Sequence, residues 1–150
     1  EDDAMAETMT GMIVRHVRVD RTRTPKEVLD ATGRRQYVNA SVVESMPGRG
    51  EGVEEVDVYF FPLRRFATDE EVEKAHELRS LKAADPYAVA AANEDDPGFA
   101  DDHPNNTHWK DADGKRCYAT FDRWRVERSV YVFRDALDWR GDWWFAGLRK

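Results

Sequence analysis

A run of short aromatic and β-branched segments between residues 115 and 150 constrains the fold more than any other feature of this chain. The run holds four of the five tryptophans, and charged turns separate its apolar segments. Segments of this composition at this spacing predict consecutive antiparallel strands. Residues 130–133 and 143–146 are apolar at every position, whereas a strand with one solvent-exposed face alternates apolar and polar residues. Something must therefore cover both faces of these strands.

Helix start signals lie upstream of this run. Thr24 and Glu27 have the spacing of a capping box, in which the threonine hydroxyl and the glutamate carboxylate each accept from a backbone amide, and Thr68 and Glu71 repeat it. A third start follows Asp85, where an aspartate cap precedes a proline at the first helical position. Three short helices are therefore predicted, beginning near residues 25, 69 and 86.

Strands are predicted between and after these helices, and residues 95–106 are predicted to form an irregular loop. The expected strands span residues 12–19, 36–45 (kinked near Asn39), 53–63, 107–110 and the segments of the aromatic run. The sequence predicts a single α+β domain over residues 1–150, with a mostly antiparallel sheet of five or six strands and a small layer of three short helices on one face. The acidic residues 1–10 are expected to form a flexible arm.

The distribution of charge narrows the classes of partner. The chain carries a formal net charge of −7, but residues 115–150 contain 9 basic and 5 acidic side chains. An anionic protein is repelled by phosphate, so nucleic acid is a disfavoured partner.

No apolar run approaches the ~20 residues that span a bilayer, so no membrane association is expected. The single cysteine, Cys117, suits a reducing, cytoplasmic compartment.

Arginine and aromatic residues are interleaved in the carboxy-terminal run. Tryptophan, tyrosine and arginine dominate binding hot spots because they bury large areas at modest entropic cost. Three short helices cover about one face of such a sheet, so the second face would expose an apolar patch for a partner to cover. The sequence therefore predicts a non-catalytic protein-interaction module, natural or engineered, that binds a protein partner or a second copy of itself. The predicted contact set is Arg125, Tyr131, Phe133, Arg134, Trp139 and Arg140.

A loop rich in aspartate and histidine supports an alternative function, a metal-dependent hydrolase or nuclease. Carboxylates and imidazoles are ligands of divalent metals, although aspartates next to proline and glycine also build turns, which is the competing interpretation. A weaker alternative is that single-stranded bases stack on the basic aromatic run, which predicts affinity that falls with salt. The candidate metal ligands are Asp101, Asp102, His103 and His108.

No cofactor is predicted. Cys117 lies within a predicted strand and away from an elbow-type turn, so it is interpreted as a core thiol. The chain has no Walker, dinucleotide-binding or Gly-x-Ser-x-Gly motif. The glycine-rich residues 46–52 do not lead into a helix, which disfavours phosphate binding there. Residues 111–114 resemble part of a calcium loop, but Trp109 and Thr120 stand at the first and last ligand positions, where an EF-hand needs aspartate and glutamate.

Overall fold

The computed structural model describes residues 11–135 and 138–150 and contains one sheet of eight strands. The strands are β1 (Ile13–Asp20), β2 (Arg35–Val38), β3 (Val53–Pro62), β4 (Leu81–Ala83), β5 (Asn105–Lys110), β6 (Arg116–Trp124), β7 (Glu127–Arg134) and β8 (Trp144–Arg149). They lie in the order β1-β3-β8-β5-β6-β7-β2, and β4 also pairs with β8. The pairs β2–β7 and β5–β8 are parallel, and the other pairs are antiparallel.

Five helices accompany the sheet in the described residues. They are α1 (Pro25–Ala31), α2 (Ala40–Glu44), α3 (Asp69–Leu78), α4 (Pro86–Asp95) and α5 (Phe99–Asp102). The α+β class and the mostly antiparallel sheet are confirmed. The predicted counts of five or six strands and three helices are wrong, because the described residues form eight strands and five helices.

The three predicted helix starts are confirmed by their caps. The Thr24 hydroxyl accepts from the Glu27 amide at 3.2 Å, and the Glu27 carboxylate accepts from the Thr24 amide at 2.8 Å. Thr68 and Glu71 form the same reciprocal pair at 3.2 and 3.1 Å. The Asp85 carboxylate accepts from an amide of the first turn of α4 at 3.0 Å. Each cap satisfies backbone donors that a helix start would otherwise leave unpaired.

Residues 36–45 do not form the single strand that was predicted. Strand β2 ends at Val38, and Asn39 then caps α2, with its side-chain oxygen accepting from the amides of Ser41 and Val42. A strong local cap therefore outweighs the β propensity of the valines, and Val42 and Val43 are buried from a helix rather than a strand.

Two elements account for much of the remaining difference from the prediction. Helix α5 forms within residues 95–106, which were predicted as an irregular loop. Helix α3 ends at Leu78, and Ser80, with a positive φ of 58°, then turns the chain directly into the short strand β4 along β8. Elements of three or four residues have little periodicity, so the pattern of apolar residues does not reveal them.

Helices cover both faces of the sheet, and the prediction of one helical face is wrong. Val58 and Phe60 on β3 point into a core that includes apolar residues of α1, α2, α4 and α5. Tyr59 and Phe61 point to the opposite face, where α3 packs through Val72 and Ala75. We refer to these as the first face and the second face.

The longest helices, α3 and α4, each contain 10 residues. Among the described helices, none combines the length and apolar composition needed to cross a bilayer. The predicted flexible arm, residues 1–10, lies outside the described residues.

Candidate binding groove

The chain itself covers part of the second face over β3 and β8. Phe145 is buried there beside Phe61, with ring centroids 5.9 Å apart, under helix α3. Trp139 extends the cover, since its backbone pairs with Ala67 in both directions at 2.8 and 2.9 Å. The Trp139 indole N–H also donates to the Asp69 carboxylate at 3.0 Å, which anchors the ring at the start of α3. The part of the second face over β3 and β8 is thus an enclosed core.

The cover stops at β6 and β7, where a groove of about 350 Å³ opens to solvent. Strand β6 supplies three of its lining residues and β7 supplies one, and the segment that follows β7 closes the other wall. The lining residues are Tyr118, Thr120, Asp122, Tyr131, Asp135, Asp138, Trp139 and Trp143. We call this the second-face groove.

Strand alternation positions the floor of the groove. Tyr118, Thr120 and Asp122 are every second residue of β6, so their side chains share the second face, while the residues between them enter the first-face core. Thr120 lies opposite Tyr131 on β7, and the Tyr131 ring stacks on Tyr37 of β2 at 5.1 Å. The tyrosine stack gives the floor a fixed aromatic edge.

The opposite wall is built from tryptophans. Trp139 meets Tyr118 edge to face at 5.9 Å and meets Trp143 in the same way at 5.6 Å. Trp139 is almost fully buried, whereas Tyr118 and Trp143 are only partly buried. Edge-to-face contacts of this kind hold aromatic rings in defined orientations. The walls of the groove therefore combine rings in defined orientations with partly exposed ring surface.

The electrostatic character of the groove is acidic. Asp122, Asp135 and Asp138 line it, and no lysine or arginine of the described chain does. Burial raises the pKa of Asp122, and its Oδ1 atom is buried with no hydrogen-bond partner among the described residues. Burial also raises the pKa values of Tyr118 and Tyr131 above the usual tyrosine range, in which the hydroxyl is already neutral at pH 7.

The aromatic members of the predicted contact set come together, but its arginines do not join them. Tyr131 and Trp139 line the groove, and Phe133 lies beside Tyr118 with ring centroids 6.5 Å apart. Arg134 points to the first face, where it pairs with a loop carboxylate at 3.1 Å. Arg125 lies at the tip of the β6–β7 hairpin with a positive φ of 58°, and Arg140 is exposed beside Asp142. As a contact set, these six residues remain a prediction.

Sequence reasoning missed the carboxylates of the groove. The relevant signal was the polar second face of β6, where Thr120 and Asp122 alternate with buried apolar residues. Asp135 and Asp138 follow β7 in a segment with no periodicity, so only the fold brings them to Asp122.

The four candidate metal ligands are not assembled into one site. Asp101 is paired with Arg123 and Arg128 at 3.1 and 2.8 Å, as expected for a structural ion-pair network. His103 stacks on Phe99 on the first face. His108 lies on the second face, 5.9 Å from His76. Within residues 11–135 and 138–150, no three or more His, Cys, Asp or Glu side chains form a group that could hold a metal ion.

The groove can thus hold several side chains of a ligand between ring faces and carboxylates.

Comparison of the chain with protein-family models, with curated proteins and with solved structures found no match.

Proposed function

We propose that this chain is a non-catalytic protein-interaction module that binds a segment of a partner protein in the second-face groove. The observation that carries the proposal is the aromatic-walled groove that α3 and the Trp139 segment leave open over β6 and β7. Partly exposed tyrosine and tryptophan rings at the centre of a concave surface are the residues that contribute most to binding free energy at interfaces.

The groove is also held ready for binding. The Tyr37 hydroxyl donates to Glu127 at 2.8 Å, and the Ser129 hydroxyl donates to the same carboxylate at 3.1 Å. These bonds fix the ring on which Tyr131 stacks. A wall that is ordered before binding loses little conformational entropy when a ligand arrives, which favours affinity.

The size of the groove favours a short extended segment over a folded domain. Its volume of about 350 Å³ is within the range of small-ligand pockets and accommodates a few side chains. Stable interfaces between folded proteins require roughly 800 Å² from each partner, which is a much larger surface. A linear segment that inserts anchor side chains between rings matches this geometry.

The proposal is tested by selecting binders from a library of short unstructured peptides displayed on phage. Selected peptides are then synthesised, and their dissociation constants are measured for the wild-type chain, for Tyr131→Ala and for Trp143→Ala. We expect each groove variant to weaken binding by about tenfold, which corresponds to about 1.4 kcal/mol.

The matched control is Val14→Ala, which shortens an exposed apolar side chain on the edge strand β1. This variant should leave the dissociation constants within about twofold, and melting temperatures establish that all variants fold. The proposal is wrong if no peptide is enriched, or if enriched peptides bind the groove variants as tightly as the wild type.

A second copy of the chain is the competing occupant of the groove. Light scattering after size exclusion, over a range of protein concentrations, separates the two cases. We expect a monomer at every concentration. A dimer that Tyr131→Ala returns to monomer would replace the partner segment by a second copy.

A further inference from the structure

The carboxylates of the second-face groove carry a further inference, which rests on the proposed function. We infer that the groove receives a guanidinium group, the side chain of an arginine in the partner segment.

The first step is the charge of the groove. Two carboxylates close to the sheet have cationic partners: Asp101 pairs with two arginines, and Asp111 pairs with Arg134. By contrast, Asp122, Asp135 and Asp138 make no ion pair within the described chain. Three carboxylates that line one concavity without ion pairs in the described chain attract a cation to it.

The second step is the state of Asp122. Arg34 approaches this residue from the first face but donates to its backbone carbonyl, at 2.6 Å, rather than to its carboxylate. The side-chain Oδ1 atom is left buried without a described partner. A buried carboxylate oxygen without a donor is costly. Asp122 as a whole is only partly buried and lines the groove, so a ligand that donates to its carboxylate from the groove offsets part of this cost.

The third step is the match between aromatic walls and a planar cation. A guanidinium is flat and weakly hydrated, stacks on aromatic rings and donates two parallel hydrogen bonds to one carboxylate. An ammonium is a compact, strongly hydrated point charge and gains less from stacking. Ring faces and carboxylates in one groove therefore favour arginine over lysine.

Arginine guanidinium groups already lie over aromatic rings elsewhere on the second face of this chain. The Arg79 guanidinium lies 4.3 Å from the centroid of Phe61, and the Arg149 guanidinium lies 5.0 Å from that of Tyr59. The Arg149 guanidinium also donates to the Tyr59 hydroxyl at 2.7 Å. The open end of this face offers equivalent rings, Tyr118 and Tyr131, with no arginine of the described chain among the residues that line the groove.

The test uses nuclear magnetic resonance titrations of the isotope-labelled chain with a capped Gly-Ser-Arg-Ser-Gly peptide. Two matched peptides replace the arginine by citrulline, which keeps the shape without the charge, or by lysine, which keeps the charge without the plane. We expect the arginine peptide to shift the Trp143 indole and the amides of β6 and β7 with a dissociation constant of about 1 mM or below, as suits one anchor side chain. The citrulline and lysine peptides should bind at least about fivefold more weakly.

Two variants locate the binding charge. Asp122→Asn and Asp138→Asn should each weaken the arginine peptide by about fivefold or more. Asp138 is exposed, so its variant keeps the fold even if Asp122→Asn does not. The matched control, Asp113→Asn, removes the same charge from the exposed turn between β5 and β6, which does not line the groove, and should leave binding unchanged.

The inference is overturned if the arginine peptide shifts no groove signal at about 10 mM, a concentration that saturates even weak single-anchor binding. It is also overturned if citrulline binds as well as arginine, because the site would then recognise shape alone. Equal binding of the lysine and arginine peptides would assign the groove to cations in general and would contradict the preference for the planar guanidinium group. If peptides selected by display bind the groove without arginine, the proposed function stands and this inference alone falls. If neither kind of peptide binds there, both fall.

Discussion

Arg34 is a buried cation that holds three segments together by their carbonyl groups. It is 6% exposed, and its guanidinium donates to the carbonyls of Ser129, Pro97 and Asp122 at 3.0, 3.1 and 2.6 Å. Burial lowers its pKa, but an arginine remains charged at any pH at which the chain is folded. The residue therefore links β6, β7 and the turn before α5 through one side chain.

We expect Arg34→Met to lower the free energy of unfolding by about 3 kcal/mol or more, because it leaves buried carbonyls without donors. Urea unfolding followed by circular dichroism measures this loss. Arg49→Met is the matched control, since Arg49 is exposed and its loss should cost less than about 0.5 kcal/mol. Equal stability of the two variants would show that the carbonyls find other donors.

His76 is a buried histidine whose titration makes the fold sensitive to acid. It is 3% exposed, its Nδ1 atom has no hydrogen-bond partner in the described chain, and burial lowers its pKa from 6.5 to about 3. The unfolded chain takes up a proton near pH 6.5, whereas the folded chain does not until about pH 3. The stability present above pH 6.5 is therefore lost progressively as the pH falls toward 3.

The expected loss from His76 is about 1.4 kcal/mol per pH unit within this window, or about 2 kcal/mol at pH 5. Burial lowers the pKa of the neighbouring His108 in the same direction, so both contribute to the wild-type slope. Urea unfolding at pH 7, 6 and 5 should show a shallower slope for His76→Met than for the wild type.

His16 provides the control for this prediction. It is exposed, and hydrogen bonds to Asp57 and Glu55 raise its pKa, so its contribution to stability is present at low pH and is lost as the pH rises. His16→Gln should therefore leave the loss of stability in acid undiminished. An unchanged slope in His76→Met would contradict the assignment to His76.

At the scale of elements, the packing of α3 and β4 onto β8 depends on the absence of a side chain at Gly147. A Cβ atom built there would lie 2.9 Å from Leu81 Cδ1 and 3.1 Å from His76 Nδ1, both of which belong to buried residues. Contacts this short force neighbouring groups to move, and overpacking of a core costs about 1–3 kcal/mol.

We therefore expect Gly147→Ala to lower the free energy of unfolding by about 2 kcal/mol. Gly50→Ala is the matched control, because its added Cβ would come no closer than 3.8 Å to Arg21 Cβ, an ordinary contact. Thermal unfolding of both variants tests the difference. A Gly147→Ala chain as stable as Gly50→Ala would mean that Leu81 adjusts without cost.

Elements that carry their own start signals could be predicted from the sequence. The caps at Thr24, Thr68 and Asp85 are local chemistry, and α1, α3 and α4 begin where these residues place them. Helix α2 was missed although Asn39 is also a cap residue, because the valines that follow it favour a strand. Helix α5 and strand β4 are too short for periodicity, so only contacts with the rest of the sheet define them.

At the scale of the whole molecule, the sequence predicted strands covered on both faces but not what covers them. The second face of β8 is enclosed by α3 and by Trp139, which reaches this position through pairing with Ala67, 72 residues earlier in the chain. Such long-range pairing leaves no local pattern. Of the rings that line the groove, only Tyr131 and Trp139 were in the predicted contact set. The alternation along β6 is a local signal for Asp122, whereas Asp135 and Asp138 reach the groove through the topology alone.

Strand β8 joins the two parts of the sheet. It lies between β3 on one side and β5 on the other, and it also pairs with β4. Its buried residues Phe145 and Ala146 enter the second-face and first-face cores, respectively. Removing this strand would separate β1 and β3 from the remaining strands and open both cores.

We expect a fragment of residues 1–142 to lack cooperative unfolding, and to regain it when a synthetic peptide of residues 143–150 is added. Far-ultraviolet circular dichroism during thermal unfolding measures both states. A peptide with Phe145→Asp is the control and should not restore the transition, because it would bury a charge in the second-face core. A fragment that melts cooperatively by itself would contradict the prediction.

The central place of β8 also governs what happens while the chain is being made. During synthesis, the earlier strands leave the ribosome with the edges of β3 and β5 unpaired, and unpaired edges invite wrong partners. A premature stop codon or a proteolytic cut just before Trp144 would thus leave nearly all of the residues but no closed core. The truncated chain would behave as an aggregation-prone folding intermediate, and chaperones and proteases would act on it accordingly.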